Sequence, residues 1–157
     1  MRKAELDAVD RAILAALEAD ARLSFAALAR RVGLSPPSVA ERVRRLEAAG
    51  VIRGYGARVD LEALGYPVTA LVQVAVPPSR YAKVWAFAEA TPEVRECYFV
   101  TGEASFVVRV VARSIDHLRE LIEALGAFGS TRTAVALAPP LIKWGSPPPR
   151  GERPDGS

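Results

Sequence analysis

The sequence predicts an α+β chain in two parts, a small three-helix head followed by a four-stranded sheet that carries two helices. Three observations predict it. Residues 24–50 read as two short amphipathic helices about a Gly33-Leu34-Ser35 turn, residues 68–137 alternate apolar strands with helical stretches, and the +3 net charge lies wholly in the first part. Residues 1–60 hold eleven basic and eight acidic side chains, whereas residues 61–157 hold ten of each.

The elements follow in order. Leu6 to Ala19 has helical spacing, with Asp7 able to cap it and Val9, Ile13, Leu14 and Leu17 on its buried face. Ser24 can cap a second helix with Leu28 and Val32 inward, and Gly33 stands where that helix must stop, because a C′ position favours left-handed backbone. Ser35 caps a third helix. Pro36 suits its first turn, where the missing N–H costs nothing and the fixed φ is already helical. Val39, Val43 and Leu46 make its apolar stripe, leaving Ser38, Glu41, Arg42, Arg44 and Arg45 on the opposite face, and Gly50 ends it. Three helices with a short glycine-bearing turn between the last two are a helix-turn-helix. Val51 to Asp60, β-branched and aromatic with two glycines, suits a short strand running out as a linker or wing.

The second part starts with an apolar strand at Val68 to Val76. A helix from Ser79 to Ala90 puts Tyr81, Val84, Trp85 and Ala88 on one face, and Val94 to Val100 is a strand again. After a turn at Thr101-Gly102-Glu103 comes the strand Phe106 to Ala112, then a helix capped by Ser114 with Ile115, Leu118, Ile122 and Leu125 inward, then the strand Thr131 to Leu137. The order β-α-β-β-α-β describes a ferredoxin-like sandwich. The domains expected are 1–60 for the head with its linker strand, 61–144 for the sandwich, and a Pro/Gly/charge-rich disordered tail at 145–157. Strand 68–76 and most of 106–112 are apolar on both faces, so the face without helices needs cover, and a homodimer or larger assembly is expected.

Composition excludes several classes. Cys97 is the single cysteine and His117 the single histidine, so neither an intramolecular disulfide nor a structural zinc site is available. Cys97 on an apolar strand reads as a buried inert thiol, and His117 as exposed and ordinary. Residues 1–30 carry charges throughout, and no apolar run approaches the ~18 residues of a membrane span. The protein is expected to be soluble and cytoplasmic, associated with the nucleoid. There is no Walker loop, GxSxG elbow, CxxC or HExxH, so no catalytic residue and no cofactor is assigned.

Between residues 30 and 58 seven arginines face two glutamates, and a polyanion is the natural partner for that excess. Double-stranded DNA fits a helix-turn-helix. Residues early in the second of its helices usually reach base edges while flanking bases hold phosphates. Pro37, Ser38, Glu41 and Arg42 are therefore expected at the groove, and Arg30, Arg31, Arg45 and Arg53 at the backbone, with Ser35 at the cap also counted in the interface. Arg44 is expected to be a bystander. The bland alternative for any one of these arginines is solvation or pairing with Glu41 or Glu47, and the rival for the whole chain is an architectural DNA-compacting protein of low sequence specificity.

These residues carry a family resemblance. Leu6-Asp7-x-x-Asp10-x-x-Ile13-Leu14, Leu28-Ala29-x-x-Val32-Gly33-Leu34-Ser35, Arg42-Val43-x-Arg45-Leu46-Glu47-x-x-Gly50-Val51-Ile52, Gly54-Tyr55, Leu64-Gly65 and Val94-x-Glu96-Cys97-Tyr98-x-Val100-Thr101-Gly102 together resemble the feast/famine, or Lrp/AsnC, transcription regulators over about residues 6–144. The resemblance implies a DNA-binding head, a connecting strand, and a second domain that dimerises through its sheet, often assembles into octamers, and in many members senses an amino acid at an interface between dimers. Thr101, Gly102, Glu103 and Ser105 lie in the loop at that site. The family commonly has Asp where this chain has Ser105 and an aromatic near Ala104, so the obvious partner for an ammonium group is missing; Glu103 substitutes, or another ligand binds, or none does. The same loop also reads as a tight hairpin turn. Thr131 and Thr133 either line that pocket or face solvent.

Overall fold

The structure, a computed structural model, describes residues 5–138, 140–143 and 145–147. Most of the tail expected to be disordered, 148–157, lies outside the described residues. The rest falls into two compact units, one running to Arg58 and resuming at Ile142, the other spanning Val59–Leu141.

The first unit is built from α1 (Ala8–Ala19), α2 (Phe25–Val32) and α3 (Pro36–Ala48). Each begins at the expected cap: Asp7, Ser24 and Ser35 accept the backbone N–H three residues on. Asp7 and Asp10 go further and form a reciprocal capping box. Gly33 takes the left-handed φ of 70° that lets the chain leave α2 and start α3 three residues later, at Pro36. Ile13, Leu28, Val39, Val43 and Leu46 close a small core against which Leu14, Leu17, Val32 and Leu34 pack. Val51 and Ile52 seal it from below, both N–H groups donating to the Leu46 carbonyl.

The expected strand at 51–60 does not form. Its composition is right, but among the described residues no second strand lies beside it to take its hydrogen bonds, and composition alone does not make a ladder. Tyr55 instead anchors the segment, its hydroxyl donating to Glu47 at 2.8 Å. Partial burial and the Glu47 carboxylate push that phenol up to about 12. At the far end of α1, the Ser146 N–H and hydroxyl donate to the two carboxylate oxygens of Glu18 at 3.0 and 2.7 Å.

The second unit is a four-stranded antiparallel sheet made of β1 (Val68–Ala75), β2 (Val94–Phe99), β3 (Phe106–Ala112) and β4 (Ser130–Val135), in the order β2-β3-β1-β4. With α4 (Tyr81–Ala90) and α5 (Ile115–Gly126) it is the ferredoxin-like sandwich the sequence predicts. A 3₁₀ turn at Pro78–Arg80 precedes α4, where the sequence reading places the helix start. Opposed residues share a face, so the register Val72 to Val108 and Val72 to Thr133 defines the helix side of the sheet. Ala70, Val72, Val74, Phe106, Val108 and Val110 fill that side against Val84, Leu118, Leu121 and Leu125.

Three expectations need correction. Ile115 is 63 % exposed, because it opens the first turn of α5; the buried stripe is Leu118, Leu121 and Leu125. The other face of the sheet is less apolar than strand composition implies. Leu71 lies at its centre, but Gln73 is exposed beside it and Arg109 pairs across to Glu96 at 2.6 Å, holding that carboxyl below its usual range. His117, finally, is neither exposed nor idle: its Nδ1 accepts the Arg113 N–H at 3.2 Å and its Nε2 lies 3.6 Å from Glu93. Cys97 is half-buried on β2, where burial pushes its thiol up and away from reactivity.

Candidate nucleic-acid interface

The start of α3 is fixed by chemistry local to it. The Ser35 hydroxyl accepts the Ser38 N–H at 3.3 Å and shares a hydrogen bond with the Ser38 hydroxyl at 2.8 Å, while Pro36 and Pro37 stiffen the first turn. Val39, Val43 and Leu46 turn inward, which leaves Pro37, Ser38, Glu41, Arg44 and Arg45 exposed. Leu34, Pro37, Ser38, Glu41, Arg42 and Arg45 line one shallow concavity on that face. Five of those six are residues expected at DNA; Leu34 is the addition.

The arginines divide by their partners. Arg30 and Arg31 in the last turn of α2 and Arg53 beyond α3 are exposed and make no ion pair among the described residues. Arg44 pairs with Glu41 at 2.7 Å, as a bystander would, with both side chains mostly in water. Arg42 behaves otherwise. Its Nη1 donates to Asp7 Oδ2 at 2.6 Å and to Asp10 Oδ1 at 2.7 Å, and only 27 % of its side chain is exposed. The Asp7 and Asp10 carboxylates raise its pKa, and the Asp10 N–H with the Arg42 guanidinium holds the Asp7 carboxyl below the usual carboxylate range. Arg45 also reaches Asp10, at 2.9 and 3.1 Å, yet keeps 60 % of its side chain in solvent.

The sequence reading missed this network, although a signal was present. Asp10 precedes Ile13, Leu14 and Leu17 by three, four and seven positions, which puts an acid in the apolar stripe of α1. A carboxylate in that position needs buried partners.

In the second unit the hairpin after β2 is closed by Ser105. Its N–H donates to the Val74 carbonyl at 2.9 Å, its hydroxyl donates to the Val76 carbonyl at 3.0 Å, and the Val76 N–H returns to that hydroxyl at 3.4 Å. The side chain standing where a carboxylate was expected is thus engaged in holding β1 to β3. Thr101, Gly102 and Glu103 are exposed at the tip. Thr131 and Thr133 are half-buried on the helix side of β4; Thr131 opposes Val74 and so reaches the same end of the sheet as Ser105, with β1 between them. Tyr81, Trp85, Phe99 and Phe106 form a ring cluster nearby, with centroids 4.9 to 5.5 Å apart; Tyr81 packs on the core, whereas Trp85, expected on the buried face of α4, is 41 % exposed. Among the described residues no cluster of three or more ligating side chains could hold a metal ion, and no helix is long and apolar enough to cross a membrane.

A helix-turn-helix whose second helix is edged by exposed arginines, with a ferredoxin-like domain in the same chain, defines a class of DNA-binding transcriptional regulators. Residues 6–47 match the AsnC-type helix-turn-helix domain and residues 69–142 the Lrp/AsnC ligand binding domain. The HTH-type transcriptional regulator LrpC of Bacillus subtilis is 35 % identical over 131 residues, 83 % of this chain and 91 % of that protein. Its solved structure superposes with a TM-score of 0.83 at 34 % identity, covering 88 % and 99 % of the two chains. A feast or famine regulatory protein from M. tuberculosis, complexed with L-methionine, gives a TM-score of 0.81 at 38 % identity over 86 % of this chain and 94 % of its own. The chain belongs to the Lrp/AsnC family, whose matching members here are transcriptional regulators rather than enzymes.

Proposed function

We propose that the protein reads a partly palindromic DNA site as a cytoplasmic, nucleoid-associated homodimer able to assemble into an octamer, without catalytic activity. The observation that carries this reading is the exposed face of α3 flanked by Arg30, Arg31 and Arg53, three guanidinium groups with no ion-pair partner among the described residues. Pro37, Ser38 and Glu41 face the bases; Arg45 and the three free arginines hold phosphates; Arg42 supports the interface from within the head. Paired heads reward correct half-site spacing through effective concentration. Selection of bound duplexes from a random pool tests the reading: one recurrent sequence is expected, and a pool recovered without sequence preference would establish the architectural alternative. With the selected duplex, Arg30→Ala should flatten the dependence of log affinity on log salt by about 0.9, the loss of one phosphate contact.

The second domain supplies the effector response. The M. tuberculosis relative is complexed with L-methionine, and in this chain Thr101, Gly102 and Glu103 are exposed at the hairpin after β2, with Thr131 and Thr133 at the same sheet end. Because the Ser105 hydroxyl is engaged with Val76, Glu103 is the carboxylate that meets an ammonium group. A thermal-shift screen against the twenty amino acids should show stabilisation by one of them, about 2.7 kcal/mol at a hundredfold excess over Kd, and Glu103→Gln should abolish it. Silence in the native chain together with a response in Ser105→Asp would refute the role of Glu103 and make Ser105 the reason.

A further inference from the structure

Asp10 is 1 % exposed and is the buried charged side chain of the head among the described residues. Its main partners come from α3. Oδ1 accepts Arg42 Nη1 at 2.7 Å, and both carboxylate oxygens accept Arg45 Nη2, at 3.1 and 2.9 Å. A carboxylate taken out of water is tolerated only where donors engage its lone pairs, so a residue of the first helix dictates where two guanidinium groups of the third helix stand. They stand differently. Arg42 is clamped between Asp7 and Asp10 and turned inward, while Arg45 gives Asp10 one of its nitrogens and leaves the rest of its five-donor fork outward, beside Ser38 and Glu41.

We infer that Asp10 is a positioning residue for DNA recognition: it holds Arg45 in one outward orientation and keeps Arg42 off the phosphates, which lowers affinity for arbitrary DNA and raises discrimination between sequences. Without the carboxylate, two long cationic side chains on the exposed helix are free to follow any phosphate backbone. Sequence discrimination is a difference between two affinities, so restraining the nonspecific one counts as much as improving the specific one. A lysine at position 45 would not serve, since a point charge cannot bridge a buried carboxylate and a DNA oxygen in fixed geometry.

The inference rests on the DNA-binding reading above, and the experiment separates the two. Full-length wild type and Asp10→Asn are compared on the selected duplex and on a scrambled duplex of equal length, across a salt series, with thermal unfolding recorded for each. If wild type selects no sequence, the parent reading fails and this one with it. If wild type discriminates, Asp10→Asn is expected to bind the scrambled duplex more tightly, with a salt dependence steeper by about 0.9 for the phosphate contact that Arg42 gains, and to lose at least tenfold in the ratio of selected to scrambled affinity. A purely structural role would lower both affinities in parallel and leave the ratio and slope alone; that result, or no change at all, overturns the inference. Should Asp10→Asn fail to fold, Asp7→Asn decides: it loosens Arg42 only, and asparagine caps a helix as well as aspartate. Its slope on the scrambled duplex should steepen by about 0.9 with the head still folded, and an unchanged slope refutes the proposal.

Discussion

Gly129→Ala will destabilise the second domain by about 3 kcal/mol, the upper part of what overpacking a tight site costs. A Cβ at this position would sit 2.1 Å from the Ala75 carbonyl oxygen and 2.7 Å from Val76 Cγ1. The first of these is backbone in the central strand, paired to Ser130 in the register that starts β4. It has nowhere to go. Either the turn between α5 and β4 lifts away or the ladder between β1 and β4 opens at Ala75. For a unit of this size the loss corresponds to a fall of about 12–24 °C in melting temperature, measurable by circular dichroism. Gly126→Ala is the control, since an added Cβ there meets nothing within 4 Å and alanine suits the end of α5 better than glycine. Equal melting temperatures for the two variants would show that the turn yields freely.

Leu71→Asp will convert the proposed homodimer to monomers and lower apparent affinity for a two-half-site duplex by about 10²–10⁴-fold, the range that avidity contributes. Leu71 is 46 % exposed in the middle of β1, with Arg109 and Ala134 opposite it on the flanking strands. If the helix-free face of the sheet is the contact between copies, an acid there must be buried in each copy, and the Arg109 guanidinium opposite it is already paired with Glu96. Light scattering should report the monomer mass, and affinity for a single half-site should be unchanged. A Leu71→Asp protein that keeps the native mass would place the contact elsewhere.

The helices were legible because their signals are local. Asp7, Ser24, Ser35 and Ser114 are short polar residues standing just before an apolar periodicity, and each accepts the backbone N–H three positions on. The sandwich was legible for a related reason: β1 and β3 are short, β-branched apolar runs, and β2 and β4 fall where the spacing between the helices leaves room for a strand. What was hidden depends on residues far apart in sequence. Arg42 and Asp10 are 32 positions apart, and no spacing rule connects them. The β-branched stretch after Gly50 looks like a strand to any local criterion and lacks only a neighbour. Ser105 is similar: its hydroxyl could be a ligand contact or a clasp, and only the position of Val76 decides. In the site the exposed arginines could be read directly, whereas the division between Arg42, turned inward, and Arg45, turned outward, needed the first helix in place.

The strand order bears on how the chain acquires its fold. β1 is the first strand to be made, yet its hydrogen-bonding neighbours are β3, where Val68 meets Ala112, and β4, where Ala70 meets Val135. Neither exists when Val68–Ala75 leaves the ribosome. By then all three helices of the head exist, the contact between Asp10 and Arg45 spanning 35 positions, and the head can already have closed, because contacts of short sequence separation form fastest. This largely apolar strand thus waits through the synthesis of α4, β2, β3 and α5 with one edge or both unpaired, a condition that invites association between nascent chains. The six residues Ser130–Val135 end that exposure, and their arrival, more than any step in the head, sets the moment at which the chain becomes safe from its neighbours.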